Sequence, residues 1–301
     1  MKFYDFGEVI NQDTKFVIFG IPWDYLTSIE GVNSAMAPER IRKVTSNLAL
    51  TTELGVKIPE LEVIDMGDIS LEPDRVEKNL RKIEEYVDYI YEQKEDIIPI
   101  MIGGDHFCTY PVFKAVNKKI TNRKQFGVLI LDSHLDFYYQ WDKSTYSHAT
   151  VAHRIFDLEN IDTSNMLIVG TRDIDIPELE SALKNDIHYL NAYLLREYGI
   201  EKYIEEIINF FNKSGIKDLY ISIDVDVLDP SVAPATGYAI PGGFTYREIW
   251  ILLRKIAANF NIKAFDLVEV SPNLDLANNM TSIVASKLII ELISFISKRR
   301  T

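Results

Sequence analysis

Short β-branched runs alternating with amphipathic stretches predict an α/β protein organised around a parallel sheet. Two features carry the prediction. The strand candidates are nearly continuous in apolar residues, as strands covered on both faces must be, and the segments between them repeat apolar residues at helical spacing. In order, the strand candidates are KFVIFGI (15–21), LEVIDMG (61–67), DIIPIMI (96–102), FGVLILD (126–132), MLIVG (166–170), IHYL (187–190), DLYISIDV (218–225) and IKAFDLVEV (262–270). From Val76, the residues Leu80, Ile83, Val87 and Ile90 fall on one helical face. TYREIWILLRKIAANF (245–260) and the segment from Ala277 to Lys298 show the same pattern. About eight strands can close into a barrel or stay open, and periodicity does not choose between them. No repeat, low-complexity tract or linker-like stretch divides the chain, so residues 1–301 are expected to form a single domain.

The charge balance narrows the function classes. Lys and Arg number 32 against 45 Asp and Glu, a formal net charge of −13. That excess repels phosphate backbones and argues against nucleic-acid binding, while it favours a cationic small molecule. Cys108 is the single cysteine, so no intrachain disulfide is expected. The segment MKFYDFGEVINQDTK lacks a signal-peptide core, and no apolar run is expected to approach the roughly 20 residues needed to span a bilayer. The expectation is a soluble cytoplasmic protein.

The acidic residues pose the chemical question. ISIDVDVLDP (221–230) reads as a buried strand, yet it carries aspartates. A buried carboxylate without a partner costs several kcal/mol. Strand alternation would point Asp224 and Asp226 to one face. LILDSHLD (129–136) places Asp132, His134 and Asp136 at alternate positions, and IMIGGDHF (100–107) ends in two glycines, Asp105 and His106. All three groups follow strands at their C-terminal ends, where parallel sheets place their sites. Taken singly, each has an ordinary reading. Asp229-Pro230 opens a turn, and two glycines after a strand mark a tight bend. The calcium-loop pattern is excluded, because its glycine and its bidentate glutamate are missing. Together the groups supply four aspartates and two histidines, and a divalent cation would compensate that charge. Oxygen-rich donors with some imidazole suit manganese, with cobalt, nickel or zinc as competitors. Six ligands exceed what one ion with an open position takes, which points to two ions and metal-assisted hydrolysis.

GGDH (103–106), DSHLD (132–136) and SIDVDVLDPSVAPATGYAIPGGFTYRE (222–248) resemble, in order and spacing, the three signature motifs of the ureohydrolase family. That family includes arginase, agmatinase and formimidoylglutamase. Weaker matches run from GIPWD (20–24) to EVSP (269–272). The resemblance implies a three-layer αβα fold with an open, mainly parallel eight-stranded sheet. It also implies two Mn2+ per chain, a hydroxide bridging them, and assembly into trimers or hexamers. It assigns His106, Asp132, Asp136 and Asp226 to one ion and Asp132, His134, Asp224 and Asp226 to the other. Asp136 would pass a proton to the leaving amine, Glu269 would grip the guanidinium, and His148 in YSHATVAHRI (146–155) would shuttle protons, a role suited to a group that titrates near neutrality. His153 is expected to be structural, and His188 has no assigned role.

The implied reaction is hydrolysis of a guanidino compound, chiefly agmatine to putrescine and urea. FYYQWDKSTY (137–146) is bulky and aromatic where arginases carry small polar residues. Aromatic faces and Asp142 would there receive a cationic tail. Arginase, guanidinobutyrase, formimidoylglutamase and a non-catalytic binding subunit are the alternatives. Metal-dependent deacetylases share the general fold, but they use one zinc and lack the GGDH ligand. Three departures bear on substrate: Ala149 follows the shuttle histidine in place of glycine, GVNSAMAPERIR (31–42) alters an N-terminal loop, and Tyr238 stands where threonine is common.

Overall fold

The computed structural model describes residues 1–26, 31–72 and 74–299. Among them, eight strands form one sheet: β1 (Phe16–Ile21), β2 (Val63–Asp68), β3 (Ile98–Gly103), β4 (Phe126–Leu131), β5 (Met166–Thr171), β6 (Tyr189–Asn191), β7 (Asp218–Asp224) and β8 (Asn261–Val268). Their order is β2-β1-β3-β8-β7-β4-β5-β6, and every pairing is parallel. The sheet is open, which decides between the two architectures that periodicity permits. Each predicted strand is present, within three residues at either end.

The helices are α1 (Ala37–Thr45), α2 (Val76–Gln93), α3 (Thr109–Lys119), α4 (Val151–Phe156), α5 (Ile176–Lys184), α6 (Tyr193–Tyr198), α7 (Ile200–Lys213), α8 (Tyr246–Asn259) and α9 (Met280–Arg299). Successive strand residues serve opposite layers. Phe16, Ile18, Ile100, Leu129, Ile221 and Leu267 pack with Ile41 of α1, Ile207 of α7, Ile256 of α8 and Leu288 of α9. Val17, Phe19, Met101, Val128, Ile130 and Ile168 pack with Ile83 of α2, Val116 of α3, Ile155 of α4 and Ala182 of α5. This is the three-layer arrangement.

Local chemistry sets the helix limits. Thr245 caps α8 by accepting from the Glu248 amide, and the Glu248 carboxylate accepts from the Thr245 amide in return. Such a cap stabilises by about 1 kcal/mol. The buried face of α8 carries Ile249, Trp250, Leu252, Leu253 and Ile256. Each fully buried large side chain adds roughly 1.5–3 kcal/mol, so the core face outweighs the cap. Helix α9 corrects one expectation. Its Met280–Lys298 stretch is long and apolar enough to cross a bilayer, but 72% of it is buried inside the protein. It packs in the same core cluster as α1 and α8. A core helix explains its composition.

A buried ion cluster ties α1 to the edge of the sheet. The Arg42 guanidinium donates to both Asp65 oxygens, at 2.7 and 3.0 Å, and also to Asp68. Asp65 further accepts from the Phe3 and Gly67 amides. Its desolvation is therefore offset by charge and by hydrogen bonds at once.

Candidate metal centre

The predicted ligands come from the four middle strands of the sheet. Chain segments leaving β3, β8, β7 and β4, which are neighbours in that order, supply His106, Glu269, Asp224 with Asp226, and Asp132 to Asp136. The glycine pair in GGDH has a steric cause. A Cβ on Gly104 would lie 1.9 Å from the Trp23 carbonyl oxygen, so only glycine allows this approach. The Gly104 carbonyl in turn accepts from the Glu269 amide at 2.8 Å, and Glu269 Oε1 accepts from the His106 amide at 2.8 Å. These two bonds tie the ends of β3 and β8 together.

His106 Nδ1 lies 2.9 Å from Asp132 Oδ2, 3.0 Å from Asp136 Oδ2 and 3.3 Å from Asp224 Oδ2. His134 Nδ1 lies 3.0 Å from Asp226 Oδ2 and 3.4 Å from Asp132 Oδ1. Two sets of donor atoms thus converge within 4.8 Å, His106–Asp132–Asp224 and Asp132–His134–Asp226, and Asp132 is common to both. The resemblance implies Asp226 at both ions and Asp224 with His134; in the structure Asp224 gathers with His106, and Asp226 with His134 alone. The physical reason lies in the backbone. Strand β7 ends at Asp224 and a 3-10 turn follows over Val225–Val227, with the Asp224 side chain accepting from the Asp226 amide at 2.8 Å. Strand alternation therefore stops between the two acids. Asp226 Oδ1 accepts instead from the Ser133 amide.

Whether these residues suit a cation is tested by His106 Nδ1 and Asp132 Oδ2. Both atoms are buried and neither has a hydrogen-bond partner, although they approach to 2.9 Å. The other ring nitrogen explains why. Asp266 accepts from Tyr220 Oη at 2.5 Å and from Ser222 Oγ at 2.7 Å. With its proton committed to Asp266, Ser222 Oγ accepts from His106 Nε2–H at 3.0 Å. In the neutral ring that a metal ligand requires, Nδ1 is then the lone pair, aimed where the carboxylate oxygens converge. Lone pairs converging on one point suit a divalent cation, and a carboxylate chain behind the ring is how metal-binding histidines are oriented. The donors fit.

The electrostatics agree. Burial pushes the Asp136 carboxyl up to about 7, helped by the Asp132 charge. Burial and then Asp226 and Asp132 push Asp224 well above the carboxylate range. Burial and then Asp105 do the same to Glu269. Burial would also raise Asp132, but His106 and His134 overcome it and hold the group below its usual value. Burial alone would lower both imidazoles; without a cation, the surrounding aspartates carry them well above the usual imidazole value. Crowded like charges that must hold protons mark a centre suited to positive charge. Backbone strain gathers here too. Asp136 and Glu269 adopt φ of 49° and 64°, in the left-handed region that costs non-glycine residues energy.

Beside the centre is a chamber of about 40 Å³, lined by Asp136, Asp224, Asp226, His148, Glu269 and their neighbours. It adjoins a larger pocket of about 340 Å³ bounded by Tyr138, Trp141, Asp173, Asp175 and Glu178. His148 lines both, and burial pushes it down to about 4, below the near-neutral value expected of it. His153 is buried and stacked on Phe137 at 4.7 Å, as a structural residue should be. Asp142 is not at the pocket. It lies exposed at the tip of the 141–144 turn, and Tyr138 and Trp141 are what that segment contributes to the wall. The acids of the wall are Asp173, Asp175 and Glu178, which the sequence reading passes over. Their signal is present in TRDIDIPELE (171–180), another alternation of acids beyond a strand, where Asp175 and Glu178 also form the capping box of α5.

Comparison with known proteins agrees with this geometry. The Arginase family profile matches residues 14–294. An agmatinase of Bacillus cereus is 31% identical over 284 residues, covering 94% of this chain and 92% of that protein. Arginase 1, mitochondrial, of Arabidopsis thaliana is 32% identical and covers 93% of this chain and 81% of its own length. The crystal structure of the agmatine ureohydrolase of Thermoplasma volcanium superposes with a TM-score of 0.82 at 30% identity, covering 96% of this chain and 92% of that one. With the His/Asp centre at the strand ends and a match across almost its whole length, the chain belongs to the arginase family.

Proposed function

We propose that the protein hydrolyses agmatine to putrescine and urea with two manganese ions as cofactors. The observation that carries this reading is the wall of the larger pocket. Asp173, Asp175 and Glu178 face it, Tyr138 and Trp141 flank it, and no lysine or arginine is among its described lining residues. A tail ending in an ammonium group meets carboxylates and aromatic faces there. A tail ending in carboxylate alone, as in 4-guanidinobutyrate or formimidoylglutamate, meets like charge, and arginine brings a carboxylate beside its ammonium.

When bound, the two cations would supply the Lewis acidity that makes water nucleophilic near neutral pH. His106, Asp132, Asp136 and Asp224 are placed to hold one, and Asp132, His134 and Asp226 the other. Glu269, on the chamber wall, is suited to accept two parallel N–H bonds from a planar guanidinium. Asp136, which lines the chamber beside the other donors, is placed to take up a proton from the attacking water and give it to the departing amine nitrogen. His148 is neutral at that pH and lines both cavities, so it can carry protons between them.

The test is urea release by the manganese-loaded protein from agmatine, arginine and 4-guanidinobutyrate, with formamide assayed from formimidoylglutamate. Agmatine is expected to give the highest kcat/KM. Asp136→Asn is expected to retain the fold while losing about 10²- to 10⁴-fold in kcat, the usual range for removing a positioned acid. Absence of urea from every guanidino compound refutes the reading.

A further inference from the structure

We propose that Tyr238 is a specificity-determining residue, whose ring walls the passage between the metal chamber and the larger pocket and restricts it to an unbranched carbon chain. Four side chains line both cavities: His134, Asp136, His148 and Tyr238. The first three carry charge or protons. Tyr238 supplies bulk. Its ring meets the His134 imidazole edge-to-face, with centroids 5.7 Å apart and planes at 71°, so it stands directly beside the metal centre. Across the larger pocket stand Tyr138 and Trp141, themselves edge-to-face at 4.9 Å, and Tyr138 Oη donates to Asp175 Oδ2 at 2.6 Å. Any molecule with its guanidinium in the small chamber and its tail in the large pocket must pass Tyr238.

The ring can select only if its loop is held, and the loop is held from both sides. The Arg172 guanidinium donates to the Ile240 carbonyl from Nε at 3.0 Å and from Nη2 at 2.8 Å. The same Nη2 donates to the Asp226 carbonyl at 2.6 Å and to the Leu228 carbonyl at 3.1 Å. One side chain therefore registers the Tyr238 loop against the backbone of a metal-binding aspartate. The Ile240 amide closes a tight turn onto the Tyr238 carbonyl at 3.1 Å. Beyond it, Asp229 Oδ2 accepts from the Gly242 amide at 2.8 Å, where a φ of 93° calls for glycine. With 40% of its surface exposed, Tyr238 can be replaced without emptying the core.

The inference deepens the proposed function but is tested without assuming agmatine. Manganese-loaded wild type, Tyr238→Phe and Tyr238→Thr are titrated calorimetrically with n-butylguanidine and sec-butylguanidine, which differ only in branching beside the guanidinium. Where one compound is hydrolysed, the comparison uses kcat/KM on the same linear and branched pair. Wild type and Tyr238→Phe are expected to prefer the linear compound by at least about tenfold, the scale of one misplaced methyl group in a tight apolar site. Tyr238→Thr, at unchanged manganese stoichiometry, is expected to lower the preference below about threefold on the same scale. An unchanged preference in Tyr238→Thr, or no preference in wild type, overturns the assignment. Loss of selectivity in Tyr238→Phe overturns it as well, because the hydroxyl rather than the ring would then be the selector. Failure of the agmatine reading shows separately, as absent urea with the butylguanidine preference intact.

Discussion

Replacing Ser222 with alanine should weaken one half of the metal centre. Ser222 donates its hydroxyl hydrogen bond to Asp266 and accepts from His106 Nε2–H, which leaves Nδ1 of the neutral ring bare toward Asp132, Asp136 and Asp224. In Ser222→Ala the imidazole loses the bond that fixes its tautomer, and the Nε2–H is buried without an acceptor. Removing such an outer partner of a ligating histidine lowers metal affinity about 10- to 100-fold. That range corresponds to about 1.4–2.8 kcal/mol, within the roughly 1–3 kcal/mol that a buried donor left without an acceptor costs. The assay is titration of chelator-stripped protein with Mn2+, reading free ion by electron paramagnetic resonance and heats by calorimetry. The step belonging to the His106 half should move by that factor, while the His134 half should move less. Thr109→Val is the control. Thr109 Oγ1 lies 3.2 Å from Ser222 Oγ, but the Ser222 hydroxyl still donates to Asp266 without it, so affinity should remain near wild type. Identical binding by Ser222→Ala and wild type would refute the orienting chain.

Two further outcomes follow from buried charge. Stripped of metal, the folded protein keeps protons on Asp136, Asp224 and Glu269 that the unfolded chain releases near pH 4. Raised folded-state pKa values give stability that is present at low pH and lost as pH rises, through about 7 for Asp136. A divalent cation bound there would displace those protons, so the rise in Tm on adding Mn2+ should be larger at pH 8 than at pH 5.5 in a fluorescence melt; an equal or smaller rise at pH 8 contradicts the sign. At the other end of the sheet, Arg42→Met leaves Asp65 buried without its cation. That should cost about 3–5 kcal/mol in urea unfolding, and a loss below about 1 kcal/mol, the worth of an exposed pair, would mean the pair is solvated.

Much of this was legible in the residues, and the misreadings have physical causes. The central strands declared themselves because burial on both faces demands a continuous apolar run, as in Phe126–Leu131, whereas β6 is only half-buried. Strand order was not legible, because the crossovers that set it leave no periodic trace. The ligand types in GGDH, DSHLD and DVD were readable, and their pairing was not. Strand alternation governs Asp224 but ends one residue before Val225, where the chain turns. Asp142 drew attention by lying among aromatic residues, yet a two-way bridge between Trp141 and Ser144 turns its side chain to solvent. Asp175 and Glu178 escaped notice because a capping box at a helix start already explains both. That the same carboxylates also face a pocket is a fact of tertiary packing.

The ligand-bearing segments all leave the four contiguous middle strands, and this has a bearing on how the molecule opens and diverges. A segment that frays independently exposes itself at little free-energy cost, whereas a central parallel strand is released only when its neighbours on both sides let go. The ion centre therefore shares the protection of the whole fold, and amide exchange there should be as slow as global unfolding. The tail pocket hangs on the periphery, on β5 and on the loop after β4. Those walls can be rebuilt for new molecules while the shared ladder beneath the reacting atoms stays as it is.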